Sequence, residues 1–140
     1  MYLLDTNIIA EIRKIKAAKA NPNFELWFIK QANDDLFISS IVLFELKKGS
    51  LLKRHKGDIL QADLLDTWID NTVMPMFQNR ILPFDEKAAF INAGLHIPNP
   101  RPDCDSMIAA TALAYDLTLV TRNTSDFDRI GGLRIFNPFS

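Results

Sequence analysis

Cysteine is almost absent from this 140-residue chain. Cys104 stands alone, so no internal disulfide can form and no thiolate zinc site can be assembled. Histidine is nearly as scarce: His55 and His96 sit among basic or loop-forming residues, and neither is expected to ligate a metal. No apolar run approaches the roughly 20 residues that cross a bilayer. The N-terminus also lacks a basic stretch leading into an apolar signal core, so a cytoplasmic protein without a membrane association is expected. A surplus of positive charge is missing too. The formal net charge of −1 removes bulk basicity as a reason to bind nucleic acid. Repeats, low-complexity tracts and linkers are absent as well, and the length suits one compact domain over residues 1–140.

What is present is an alternation of short apolar runs with helical spacing. "YLLD" (2–5) reads as a buried strand and 7–19 as a helix ending before "NPN". Helical spacing returns over 24–32, and "LFIS" (36–39) is strand-like. Ser39 or Ser40 can cap a helix through His55 with a weak point at Gly49, and Asp58 a long helix that Pro75 should kink or end. "RILPF" (80–84) is a strand running into a helix that starts at Asp85 and Glu86. After the rigid loop "PNPRP" (98–102), Asp103 or Asp105 begins another helix, and 117–120 and 133–137 complete the strands. Strands separated by helices pair in parallel through right-handed crossovers. The expectation is a three-layer α/β/α domain with a central, mainly parallel sheet of about four to five strands. Ligands collect at the carboxyl ends of such strands, where the strand order reverses.

Several carboxylates fall at such places. Asp5 closes the first strand, where it can also cap the following helix. Glu45 lies in an otherwise apolar stretch of helix, with Ile41, Val42, Gly49 and Leu52 on its face. Burying a carboxylate there without compensation costs several kcal/mol or forces protonation. Asp105 leads the small-residue stripe Ile108, Ala109 and Ala112, while Asp103 faces elsewhere and is the better cap. Asp126 follows the strand "LTLV" among Thr121, Asn123 and Ser125, where a turn-forming role competes with chemistry. Acids gathered at one strand edge repel by about 4 kcal/mol per pair at roughly 4 Å in an effective dielectric near ~20. A cation must neutralise them, and oxygen-only ligands suit Mg²⁺ or Mn²⁺.

The segments "LLDTNIIAE", "SSIVLFELKKG", "DSMIAATALAYDLTLVTRNTSDF" and "IFNPF", in this order, resemble the PIN-domain ribonucleases, specifically the VapC toxins of type II toxin–antitoxin modules and their FitB-like relatives. The resemblance implies an acid at the end of the first strand (Asp5), a second in the helix after the second strand (Glu45) and a third before "IAATA" (Asp105). Where many relatives carry an acid after the Thr-Arg pair, this chain has Asn123, and Asp126 resembles the alternative acid of other members. Asn7 and Thr121 match polar positions that support the site.

By this resemblance the chain is a toxin that hydrolyses RNA with Mg²⁺ or Mn²⁺ held by Asp5, Asp105, Glu45 and Asp126. Its expected partners are a VapB-like antitoxin, RNA, operator DNA only through the antitoxin, and a second copy in a homodimer. The large apolar set Phe24, Trp27, Phe28, Leu60, Leu64, Trp68 and Met76 would supply the antitoxin groove or part of a dimer face. Lys47, Lys48, Lys53, Arg54 and Lys56, with Arg122, would meet flanking phosphates. A second basic cluster comprises Arg13, Lys14, Lys16 and Lys19. The alternative is a metal-free module that binds a DNA-binding antitoxin as a transcriptional co-repressor. A haloacid-dehalogenase-type phosphatase also begins with a strand ending in Asp, but it needs a second Asp where Asn7 stands.

Overall fold

The computed structural model describes residues 1–140. Five short strands, β1 (Tyr2–Leu4), β2 (Leu36–Ser39), β3 (Ile81–Leu82), β4 (Thr118–Val120) and β5 (Ile135–Phe136), form one sheet in the order β3-β2-β1-β4-β5. Every pairing is parallel. Helices flank the sheet as α1 (Thr6–Ile15), α2 (Pro22–Ile29), α3 (Ser40–His55), α4 (Ile59–Trp68), α5 (Met74–Met76), α6 (Glu86–Leu95) and α7 (Asp103–Ala114), giving the three-layer α/β/α arrangement. The chain steps outward from β1 to β2 and β3, then returns to lay β4 on the other side of β1. The strand order therefore reverses between β1 and β4, with Leu4 opposite Val120, so that Asp5 and Thr121 leave the sheet side by side.

Local chemistry accounts for the helix starts. Asp5 accepts from the Thr6 N–H, Asn21 from Phe24, Ser39 from Ile41, Asp58 from Gln61 and Asp85 from Ala88. The core is made by Leu3, Leu4, Ile38, Leu119 and Val120 of the strands with Ile8, Val42, Phe77, Ile108, Ala109 and Ala112 of the helices, all at most 1% exposed. No helix is long and apolar enough to cross a membrane.

Three expectations need correction, and the break expected at Pro75 is present in a particular form. Helix α1 ends at Ile15 rather than at residue 19, because the chain turns through Ala18, whose φ is +56°. Gly49 does not interrupt α3, which runs unbroken to His55. The helix from Ile59 passes through a π-helical turn, Ile69–Val73, before ending at Met76. Pro75 has no N–H to give to the carbonyl four residues back, and the wide turn just before it lets the Met74 N–H bond to Ile69 instead. Finally, neither Asp103 nor Asp105 caps α7: its N-cap is Pro102, which offers no side-chain bond.

Candidate functional site

Three elements deliver acids to the switch point. Asp5 leaves β1, Glu45 sits in the second turn of α3, and Asp105 stands in the first turn of α7. A shallow pocket of about 300 Å³ is lined by Asp5, Thr6, Asn7, Ala10, Glu45, Asp105 and Asn123. Asp5 is only 5% exposed. Its Oδ1 accepts from the Thr6 N–H at 2.8 Å, and its Oδ2 from the Thr121 hydroxyl at 2.7 Å and the Asn7 amide at 3.3 Å. The same amide lies 3.3 Å from Thr121 Oγ1, while Asn7 Oδ1 accepts from the Arg122 N–H at 3.2 Å. Asp5, Asn7 and Thr121 therefore form one brace across the ends of β1 and β4. Glu45 is oriented separately: the Thr6 hydroxyl donates to its Oε1 at 2.5 Å.

Electrostatics mark the pocket as incomplete. Burial pushes the Asp5 carboxyl above its ordinary value despite the Thr121 and Thr6 bonds, and Glu45 and Asp126 push it further. Burial, followed by the charges of Asp5, Asp126 and Glu45, raises Asp105 to about 6. No basic side chain lines the pocket to offset this. Only oxygen and amide donors face it, the ligand chemistry that a hard divalent cation takes. In kind of donor the residues fit such an ion. No three His, Cys, Asp or Glu side chains form a ready cage for one.

The fourth position divides between two residues. Asn123 lines the pocket and its N–H donates to Thr121 Oγ1 at 3.1 Å. Asp126 is exposed on the 3₁₀ turn Thr124–Phe127 and does not line the pocket, although its charge bears on both Asp5 and Asp105.

The basic cluster of α3 separates by helix face. Lys47 pairs with Asp66 at 2.9 Å, and Arg54 with Asp63 at 2.8 Å and Asp66 at 2.9 Å. Those charges are neutralised within the fold. Lys48 instead lines a groove beside Asp103 and Cys104, on the side of the carboxylates. The large apolar set separates as well. Phe24 is fully buried in the core, whereas Trp68 and Met76, with Ile12, Ile15 and Phe28, line a groove of about 260 Å³ edged by Arg13 and Lys16. Leu60 and Leu64 stand apart, 70% and 46% exposed on α4.

Sequence reasoning passed over Thr6 and Glu11. Thr6 carried a signal, since a hydroxyl directly after the first acid can reach back across the helix start. Glu11 is 5% exposed and had the same warning as Glu45, a carboxylate among Ile8, Ile9 and Ile12. It serves the fold: burial raises its carboxyl, but the Asn21 N–H at 2.7 Å and Lys14 at 3.2 Å outweigh that and hold it below its ordinary value.

A family model described as the PIN domain matches residues 2–133. The chain is 33% identical to Toxin FitB of Neisseria gonorrhoeae, with 99% of each chain covered. It is 32% identical to VapC ribonuclease Y4jK of Sinorhizobium fredii, over 99% of this chain and 98% of the relative. Among solved structures, FitAcB from Neisseria gonorrhoeae matches with a TM-score of 0.84 at 31% identity, covering 99% of both chains. A structure of FitAB bound to an IR36 DNA fragment gives 0.81 at 30% identity, covering 100% of this chain and 96% of that one. These matches run nearly end to end, so this chain belongs to the PIN-domain family, among its VapC-type, FitB-like toxins.

Proposed function

We propose that the chain is the toxin of a type II toxin–antitoxin pair and acts in the cytoplasm as a metal-dependent endoribonuclease. The observation that carries this reading is the convergence of Asp5, Glu45 and Asp105 on one pocket that contains no cation of its own. The likeness to a VapC ribonuclease agrees with it. Asp5 and Asp105 would hold Mg²⁺ or Mn²⁺ directly, with Glu45 and Asp126 acting through water or a second ion. A bound ion supplies Lewis-acid stabilisation of charge on the phosphoryl group and lowers the pKa of water.

The chain's own residues set the geometry. Thr121, Asn7 and the Thr6 N–H fix both oxygens of Asp5, and the Thr6 hydroxyl aims Glu45. Asn123 offers a neutral amide at the rim, where another acid would add repulsion. Hydrolysis joins a water oxygen to phosphorus and releases the 3′-oxygen, leaving 5′-phosphate and 3′-hydroxyl ends. Lys48 and Arg122 would meet flanking phosphates. Incubation of purified protein with RNA tests the reading: cleavage that stops in excess chelator supports it, and undiminished cleavage in chelator refutes it.

The antitoxin would seat an apolar segment in the groove of Ile12, Phe28, Trp68 and Met76, and operator DNA would be reached only through it; the similar FitAB has been solved bound to an IR36 DNA fragment. Phe44, Leu51 and Leu52, 54%, 53% and 47% exposed on α3, would contribute to a homodimer. The neutral Asn123 at the pocket, where many relatives carry an acid, leaves a second reading, a metal-free co-repressor module. Such a module would take up no Mn²⁺.

A further inference from the structure

Helix α7 carries Asp105 in its first turn yet begins without a side-chain cap. Its start is held from outside. The Ser106 hydroxyl, 1% exposed, donates to the Asp103 carbonyl at 2.9 Å, and His96 Nε2 lies 2.8 Å from the same hydroxyl. A carbonyl only accepts, so the serine proton is committed to it and Nε2 must be the donor. The Arg101 N–H donates to His96 Nδ1 at 3.3 Å, which requires that nitrogen to be bare. The two bonds fix one neutral tautomer. Arg101 extends the chain of contacts: its Nε donates to the Leu95 carbonyl at 3.2 Å, and its guanidinium to the Asp128 carbonyl at 3.3 Å, directly after the turn that bears Asp126. The segment from His96 to Arg101 thus joins the end of α6, the start of α7 and the end of that turn.

We infer that His96 is a positioning residue for Asp105, a neutral imidazole that anchors Ser106 and so fixes the uncapped start of α7 at the acidic pocket. The inference rests on the metal-dependent reading above. Residues behind metal ligands typically change affinity by about 10- to 100-fold when removed. Calorimetric titration with Mn²⁺ and separate measurement of kcat and KM on RNA test it in wild type, His96→Ala, Ser106→Ala and His96→Gln. Gln offers an amide NH2 as donor and a carbonyl oxygen as acceptor in place of the ring nitrogens. The expected result for both alanine variants is folded protein with Mn²⁺ affinity and kcat each about tenfold lower and KM unchanged, largely recovered in His96→Gln. Alanine variants that lose thermal stability but keep wild-type Mn²⁺ affinity and kcat would overturn the inference, as would a glutamine variant no better than alanine. Wild type that takes up no Mn²⁺ would instead sink the metal reading, and the inference with it.

Discussion

Asp105 and Asp66 are the same residue type in one fold, and their environments drive them apart. Asp105 is raised to about 6 by burial and by the charges of Asp5, Asp126 and Glu45. Asp66 is lowered to about 2 by the Ser50 hydroxyl, Lys47 and Arg54. At the α3–α4 contact the cations are supplied by the chain, so the acid is satisfied on folding. At the strand switch point none is supplied, and the negative charge is left for something from outside. An acid kept without its counter-ion marks a site, whereas an acid kept with one marks a clip.

The largest expected effect follows from removing acids at the switch point. Asp5→Asn or Asp105→Asn should lower RNA cleavage by at least about 1,000-fold, with circular dichroism unchanged, because the amide keeps the shape and loses the charge. Asp66→Ala should do the reverse, lowering the melting temperature while the folded fraction cuts RNA at the wild-type rate. If both substitutions acted alike, the two regions would not be different in kind.

Proton linkage separates them next. In the ion-free protein the folded value of Asp105, about 6, lies above the ordinary 3.8, so between those values the folded state holds a proton that the unfolded state lacks. This group therefore adds stability as the pH is lowered through that window. Asp66 has the opposite sign. Its folded value of about 2 lies below 3.8, so its contribution is complete above the ordinary value and is lost as the pH falls toward 2. Melting curves against pH, with and without Mg²⁺, read both signs in one series.

The smallest effect concerns lysines. Lys47 is tied to Asp66, while Lys48 faces the carboxylate side. Lys48→Ala should reduce the slope of log affinity for single-stranded RNA against log salt by about 0.7, and Lys47→Ala by much less.

Much of this was readable in the chain itself. "YLLD" followed by Thr-Asn announces a strand ending in an acid, and the small-residue stripe after Asp105 places that acid over the sheet edge. Asp5 turned out to be both cap and pocket residue, because the same carboxylate can serve a helix N–H with one oxygen and the pocket with the other. Burial patterning alone could not separate Glu45 from Glu11. Both lie among isoleucines or leucines; Lys14, three residues on in the same helix, was a visible partner for Glu11, but the Asn21 N–H that completes it comes from beyond the helix. The split of the α3 lysines was hidden for a similar reason. The partner of Lys47, Asp66, comes from the next helix, and no local period reports how two helices are rotated against each other. The start of α7 misled because an aspartate at a helix start normally caps it, and here that turn is held by its own Ser106 and by His96 from the segment before it.

Titration of the ion-free protein with Mn²⁺ near neutral pH, in wild type and in Asp105→Asn, decides whether the acids at the switch point are waiting for a cation. Saturable uptake by wild type that is lost in the variant is predicted. No uptake by wild type, or equal uptake by both, would contradict it.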